Sequence, residues 1–148
     1  MSATETRGYA GDVAATEVWK DLQSNPAAVL VDVRTMAEWN YVGIPALGSL
    51  DKRPLLVEWQ MFPSMAVDQD FVAKLETALV EAGVATDAPI YFLCRSGVRS
   101  KAAAIAMTAT GYTRCLNVEG GFEGPLDHEG HRGRITGWKA SGLPWAQS

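Results

Sequence analysis

Residues 94–100, Cys-Arg-Ser-Gly-Val-Arg-Ser, carry the residue types best suited to chemistry. Cys94 directly follows an apolar run, and a helix-forming stretch begins a few residues later. The loop between them must turn tightly, and Gly97 can adopt the positive φ that such a turn requires. Backbone N–H groups that converge in front of a helix attract negative charge, and the helix dipole adds to this attraction. Such a setting favours a thiolate, so Cys94 is the candidate nucleophile.

Two arginines of the same loop, Arg95 and Arg99, add positive charge beside the thiol. Because guanidinium groups bind oxygen-rich anions, we expect an anionic substrate at this loop. A single cysteine at the end of a strand is often an inert, buried residue instead. The glycine and the two arginines favour a reactive thiol over that simpler interpretation.

The spacing of apolar residues predicts the elements that position this loop. Three short apolar runs predict strands that are covered on both faces; they are residues 28–33, 89–93 and 116–118. Helical spacing and capping residues predict four helices: 13–23 with Thr16 as its cap, 36–41 with Thr35 as its cap, a third from Asp68 or Asp70 to Gly83, and 101–110. Residues 43–63 are predicted to be a loop with one short strand near 47–50, and residues 138–140 to be a final helical turn.

Strands that alternate with helices indicate an α/β domain with a mainly parallel sheet and helices on both faces. Ligands bind such sheets beyond the carboxyl ends of the strands. We therefore expect the site where the chain leaves Val33, Leu93 and Val118.

The composition excludes several classes of function. The chain has 148 residues, of which 47% are hydrophobic, and a formal net charge of −4. This length suits one domain, predicted over residues 9–148, after a flexible arm at residues 1–8. The acidic balance argues against nucleic-acid binding, and no apolar run reaches the roughly 20 residues of a membrane-spanning helix. No signal-peptide pattern is present, so a cytoplasmic location is expected.

The loop CRSGVRS resembles the active-site loop of rhodanese-type sulfurtransferases, whose cysteine carries a persulfide. Other segments resemble motifs of that family in the same order: residues 30–34 with Glu38 and Trp39, residues 43–46, residues 118–121, and the closing Trp138, Gly142 and Pro144. The resemblance implies a three-layer rhodanese-like fold with a mainly parallel five-stranded sheet and helices on both faces. One departure is Gly43, which stands nearest the place of a histidine usual in the family and concerns loop anchoring rather than catalysis.

The resemblance also implies a reaction. A sulfane sulfur would move from a donor such as thiosulfate to cyanide or a cellular thiol, through a persulfide on Cys94, without a cofactor or a metal. The implied substrate-binding residues are Arg95, Ser96, Gly97, Val98 and Arg99, and the implied supporting residues are Asp32 and Ser100. Expected partners are a small anionic sulfur donor, a thiol or cyanide acceptor, and a thioredoxin-like or sulfur-relay protein.

Two other functions remain as alternatives. One is a persulfide carrier or protein-interaction module with little activity on small donors. The other is a phosphatase or arsenate reductase, but related phosphatases have an arginine at the sixth position after the cysteine. Here that position is Ser100, and Arg99 is one place short. By resemblance, Arg95 in the second position is similar to the thiosulfate-using type rather than the mercaptopyruvate-using type.

Several further residues have a possible role. Arg34 is expected to pair with Glu38 at the start of a helix, while Asp32 is expected to support the Cys94 loop through hydrogen bonds. Trp59 is the candidate wall of the site, and Cys115 is expected to be a buried structural thiol at the opposite edge of the sheet. Residues 122–134 form either a solvated surface loop or a flap over the site, in which cations would attract anions; these are His128, His131, Arg132 and Arg134. No metal site is expected at the two histidines.

Overall fold

The computed structural model describes residues 8–61 and 64–147. Its strands are β1 (Gly11–Ala14), β2 (Val29–Asp32), β3 (Ile44–Pro45), β4 (Leu55–Leu56), β5 (Gln60–Met61), β6 (Ala66–Val67), β7 (Ile90–Leu93), β8 (Cys115–Glu119) and β9 (Trp145–Ala146). Its helices are α1 (Ala15–Ser24), α2 (Met36–Tyr41), α3 (Phe71–Glu81) and α4 (Val98–Thr110), with a 3-10 turn at Gly48–Leu50. The arm predicted at residues 1–8 lies outside the described residues except for Gly8.

Five strands form one parallel sheet in the order β1-β8-β7-β2-β4. Two small antiparallel pairs, β3 with β9 and β5 with β6, lie outside it. Since β2 and β7 pair with Asp32 opposite Leu93, the two strands end side by side at one edge. Cys94 leaves the sheet at that edge, as the strand pattern predicts.

Apolar side chains cover both faces of the sheet. On one face, Val31 and Phe92 pack against α3 and α4 in a cluster that includes Leu75 and Met107. The other face packs against α1 and residues near the carboxyl terminus in a second cluster; its members include Val18, Leu22, Leu30, Leu93, Val118, Phe122 and Trp138. Because successive residues of a strand point to opposite faces, fully apolar runs need a layer on each side. The three-layer rhodanese-like fold with a five-stranded parallel sheet is confirmed.

Several boundaries differ from the expected ones because they depend on partners distant in sequence. Residues 11–14, expected in part to be helical, form β1 because they pair with β8, and α1 begins after Ala14, which provides no side-chain cap. In the long loop, the strand lies at Leu55–Leu56, where it pairs with β2, and not near residues 47–50. By contrast, residues 138–140 form the expected helical turn, in which the Ser141 N–H donates to the Gly137 carbonyl at 3.0 Å.

The short helix α2 begins where its sequence predicts. The Thr35 side chain accepts a hydrogen bond from the Glu38 backbone, and the Glu38 carboxylate accepts one from the Thr35 backbone. This capping box fixes the entry of a helix too short to be stable alone. It also fixes the position of the Glu38 carboxylate, which matters at the site. None of the helices in the described ranges is long and apolar enough to cross a bilayer.

Candidate active site

Cys94 lies at the base of a pocket of about 380 Å³ that opens at the carboxyl edge of the sheet. The backbone N–H of Gly97 donates to Cys94 Sγ over 3.1 Å, and the hydroxyl oxygen of Ser100 lies 3.2 Å from the same sulfur. Gly97 has a φ of 122°, so the expectation of a positive φ at this position is confirmed. The thiol therefore faces polar groups of its own loop, although Cys94 as a residue is only 1% exposed.

The start of α4 stands directly behind the pocket. The first N–H groups of a helix have no acceptor within the helix, and these belong here to Val98, Arg99 and Ser100. Together with the N-terminal end of the helix dipole, they make the loop attractive for a negative charge. The loop can therefore hold an anionic sulfur group or oxyanion with backbone donors alone.

The outer side of the loop is held by the segment that follows β8. The carbonyl of Cys94 accepts from the Phe122 N–H at 2.8 Å, and the carbonyl of Arg95 accepts from the N–H groups of Glu123 and Gly124 at 3.0 and 3.1 Å. A Cβ on Gly121 would lie 2.5 Å from the Cys94 carbonyl oxygen, so only glycine allows this approach. Because the carbonyls point outward to this segment, the loop is held with its N–H side toward the sulfur.

Arg99 does not point freely into the pocket. Its guanidinium donates two hydrogen bonds to the Glu38 carboxylate, at 2.6 and 2.9 Å. Burial alone would raise the pKa of Glu38, but the hydrogen bonds and charge of Arg99, together with Thr35, lower it. Burial opposes the charged form of Arg99, yet the Glu38 carboxylate raises the pKa of Arg99 overall. The pair is thus held in its ionised form at the wall of the pocket.

The expected pairing of Arg34 with Glu38 is wrong. Arg34 is fully buried and binds the Asp32 carboxylate, with Nε 2.9 Å from Oδ1 and Nη2 2.6 Å from Oδ2. The same Nη2 donates to the Gly43 carbonyl at 2.7 Å, and the guanidinium lies 4.2 Å from the centre of the Phe122 ring. The Asp32 carboxylate therefore accepts hydrogen bonds from Arg34, and not from the Cys94 loop as expected. It supports that loop only indirectly, through Arg34 and Phe122.

Ser100 connects the thiol to strands β8 and β1. Its hydroxyl donates to Asn117 Oδ1 at 2.5 Å, and Asn117 Nδ2 donates to Asp12 Oδ1 at 3.0 Å. Ser100 and Asn117 are almost completely buried. The position that carries an arginine in the phosphatase pattern therefore holds a small hydroxyl that contacts the sulfur.

The chain is similar to a known protein family and to several bacterial proteins. The family model described as the STR4 middle domain matches residues 10–148. This chain belongs to the STR4 middle domain family. Uncharacterized proteins of Rickettsia rickettsii and Rickettsia conorii are each 37% identical to it over 134 residues, which cover 90% of this chain and 95% of the relative.

Two solved structures illustrate the fold that this chain shares with known proteins. The crystal structure of Rv0390 from M. tuberculosis is 46% identical, covers 95% of this chain and 99% of its own, and superposes with a TM-score of 0.83. The polysulfide-sulfur transferase homodimer of Wolinella succinogenes is 23% identical, with coverage of 93% and 78% and a TM-score of 0.60. At that identity the second likeness concerns the fold alone.

The pocket is lined by residues of the Cys94 loop, as expected, and by residues from other parts of the chain that the sequence did not indicate. Its lining consists of Glu38, Gln60, Met65, Cys94, Arg95, Ser96, Val98 and Arg99. Glu38, Gln60 and Met65 were not expected there. The polar spacing around Glu38 indicated only a helix start, and nothing local marks the β5–β6 hairpin that carries the other two. Trp59, the expected wall, instead packs edge-on against Phe71 in the core, at 4.9 Å between ring centres.

Residues 122–134 form a surface loop whose cations are used within the loop itself. Arg132 donates to the Gly124 carbonyl at 2.8 Å, and Arg134 lies 3.5 Å from the Asp127 carboxylate. The His128 side chain is 90% exposed. Within residues 8–61 and 64–147, no group of three or more His, Cys, Asp or Glu side chains is arranged to hold a metal ion. This segment contacts the Cys94 loop through the backbone N–H groups of residues 122–124, which donate to the carbonyls of Cys94 and Arg95.

Cys115 lies at the amino end of β8, buried beneath the sheet edge opposite the pocket. Its thiol donates to the Tyr112 carbonyl at 3.6 Å, and burial raises its pKa to about 11. A thiol with such a pKa is almost entirely protonated near neutral pH and is a poor nucleophile. Cys115 is thus a natural internal control for Cys94.

Proposed function

We propose that this protein is a sulfurtransferase that carries a sulfane sulfur on Cys94. The observation that carries the proposal is the sulfur of Cys94 at the base of a pocket, beside the Gly97 N–H, with Ser100 at the sixth position of the loop. A phosphate would need an arginine there to neutralise its charge, whereas a single sulfur atom needs only backbone donors and space. The fold that the chain shares with a polysulfide-sulfur transferase supports the same class of chemistry.

The reaction would occur in two steps. The Cys94 thiolate attacks the outer sulfur of thiosulfate, the bond between the two thiosulfate sulfurs breaks, and its electron pair leaves with sulfite. Cys94 then carries a persulfide anion. In the second step, cyanide or a thiolate attacks the terminal sulfur, forms thiocyanate or a new persulfide, and returns the Cys94 thiolate. This is covalent catalysis of the ping-pong type.

The loop residues have separate roles in this scheme. The Gly97 N–H, which already donates to Cys94 Sγ, would hold the terminal sulfur anion together with the N–H groups of Ser96 and Val98 beside it in the loop. Arg95 is exposed, and no carboxylate in residues 8–61 and 64–147 forms an ion pair with it, so it binds the oxyanion of the donor. Arg99 acts as a fixed charge through its pair with Glu38. Asp32 and Ser100 support the loop.

The first prediction tests the sulfur-carrying residue directly. After incubation with thiosulfate and removal of excess donor, intact mass should show one added sulfur atom on the wild-type protein. Cys94→Ser should show none, because the nucleophile is lost, whereas Cys115→Ser should behave as the wild type. A protein that gains no sulfur, or that gains it equally in Cys94→Ser, would contradict the proposal.

A second candidate, a persulfide carrier or interaction module, is favoured by the charge of the pocket. One of its two arginines is already neutralised by Glu38, and Val98 at the rim is 78% exposed. An exposed apolar side chain beside the thiol would contact a thioredoxin-like or sulfur-relay protein, whereas a small anion makes no use of it. Steady-state turnover with thiosulfate and cyanide separates the two candidates. A persulfide that forms without sustained turnover would favour the carrier.

A further inference from the structure

A continuous series of hydrogen bonds leads from the Cys94 sulfur into the sheet. Cys94 Sγ lies 3.2 Å from Ser100 Oγ, Ser100 Oγ lies 2.5 Å from Asn117 Oδ1, and Asn117 Nδ2 lies 3.0 Å from Asp12 Oδ1. The hydroxyl of Tyr9 also donates to Asp12 Oδ1, at 2.8 Å. The sheet register sets this arrangement, because β1 and β8 pair with Asp12 directly opposite Asn117.

The direction of each bond follows from the chemistry of the groups. The Asp12 carboxylate can only accept, so the Asn117 amide must turn its NH₂ group toward Asp12 and its oxygen toward Ser100. That oxygen can also only accept, so Ser100 must donate to it. A serine hydroxyl has one proton. Once that proton is directed to Asn117, only lone pairs of Ser100 remain for the sulfur.

The orientation of Ser100 bears on the charge of Cys94. A neutral thiol can satisfy both of its hydrogen bonds, since it can donate its proton to Ser100 and accept from the Gly97 N–H. A thiolate would face the lone pairs of Ser100 unless the hydroxyl rotates toward it. That rotation would leave the buried oxygen of Asn117 without a donor, which is unfavourable.

We infer that Asn117, oriented by Asp12, is a positioning residue that turns the Ser100 hydroxyl away from Cys94 and so favours the protonated resting thiol. The thiolate forms fully only when the hydroxyl exchanges its acceptor from Asn117 to sulfur. The inference rests on the proposed role of Cys94 as the reacting thiol. It assigns to β8 and β1 a control over reactivity that the loop alone does not have.

Other charged groups also act on Cys94 and must stay constant in a test. Arg95 and Arg99 face the pocket from the loop and from α4, and Glu38 faces it from α2. Asp32 lies close enough on β2 to act on Arg99. Asp12 acts from β1 through Asn117. A substitution of Asn117 by leucine changes none of these charges.

The test is the pH dependence of Cys94 alkylation by iodoacetamide, followed by site-resolved mass spectrometry. In Asn117→Leu the Ser100 hydroxyl is free to donate to the thiolate, so the midpoint of the profile should fall by about one pH unit, which is about tenfold in rate below the midpoint. In a Ser100→Ala background the same substitution should shift nothing, because its effect passes through the hydroxyl. An unchanged midpoint, or an equal shift in both backgrounds, would overturn the inference.

A second pair of variants keeps the test valid if leucine prevents folding. Asp12 is exposed, and Asp12→Asn lets the Asn117 amide turn over and present its NH₂ group to Ser100. Asp12→Asn should lower the midpoint more in the wild-type background than in the Ser100→Ala background. In the second background only the lost charge of Asp12 acts. Equal falls would overturn the inference. Alkylation requires no sulfur donor, so a failure of persulfide formation would contradict the proposed function without affecting this result.

Discussion

Most charged side chains at the site are held in ion pairs. Glu38 binds Arg99, which is 61 residues away in sequence, and Asp32 binds Arg34 behind the loop. Arg95 is the exception, and its exposure makes it the cation available to a ligand. The two arginines of the loop therefore differ, because Arg95 is exposed whereas Arg99 is fixed by its ion pair with Glu38.

Glu38→Gln should lower the free energy of unfolding at neutral pH by about 1 kcal/mol, since a partly buried bidentate ion pair becomes a neutral contact. The pKa of folded Glu38 is below its ordinary value of 4.5. The contribution of its charge is therefore present above that value and is lost as the pH falls through the lowered folded pKa. The difference between wild type and variant should shrink accordingly when urea unfolding is compared at neutral pH and at pH about 3.

A matched control is Glu17→Gln, which removes an exposed pair with Lys20 at 3.3 Å. Its unfolding free energy should stay close to that of the wild type at both pH values. If Glu38→Gln behaves like this control, the Arg99 pair is only a surface contact.

At the scale of elements, the Cys94 loop is shaped from outside by the turn after β8. Gly120 and Gly121 both have positive φ, and Gly121 packs directly on the carbonyls of Cys94 and Arg95. The resemblance of residues 118–121 to a family motif thus has a physical reason. A side chain at Gly121 would separate two segments that must touch for the loop N–H groups to face inward.

Gly121→Ala should therefore reduce both stability and persulfide formation. Its Cβ would lie 2.5 Å from the Cys94 carbonyl oxygen, at a φ of +64°. The matched control is Gly83→Ala, which has a φ of +73° and nothing within 4 Å of the added Cβ. We expect Gly121→Ala to be about 1–3 kcal/mol less stable than Gly83→Ala in urea unfolding, because only the first is overpacked. Equal losses, with normal sulfur loading in both, would show that the contact does not shape the site.

At the scale of the whole molecule, one buried ion pair joins three parts of the fold. Arg34 connects the end of β2 with the Gly43 carbonyl and with the Phe122 ring, and both members of the Asp32–Arg34 pair are fully buried. The segment after α2 and the segment that holds the Cys94 loop are thereby both tied to the end of β2. A buried pair need not add net stability, but breaking it leaves a charge without a partner.

Arg34→Met should destabilise the fold by about 3–5 kcal/mol in urea unfolding, because it leaves the Asp32 carboxylate buried and unpaired. The double variant Asp32→Leu with Arg34→Met should lose less than the single one, since neither charge remains. Lys20→Gln, at the exposed pair, should change stability by less than about 0.5 kcal/mol. If Arg34→Met destabilises the fold no more than Lys20→Gln does, the Asp32–Arg34 pair does not stabilise the fold.

Local features of the sequence were sufficient for the elements that bear the site. The apolar run before Cys94, the glycine at position 97 and the Thr35 helix cap act over a few residues, and the structure has them as expected. The strand at residues 11–14 and the pairing of Leu55–Leu56 were not predictable in this way. Both exist only because a neighbouring strand from another part of the chain provides hydrogen bonds.

By itself, the sequence determined that a cysteine ends a buried strand and opens a glycine-containing loop before a helix, because period and turn chemistry are local properties. Only the tertiary structure decided which charges meet. Arg99 binds Glu38, 61 residues away, and Ser100 binds Asn117, 17 residues away. Partner choice depends on sheet register and helix packing, and these are set by burial across the whole domain rather than by neighbours along the chain.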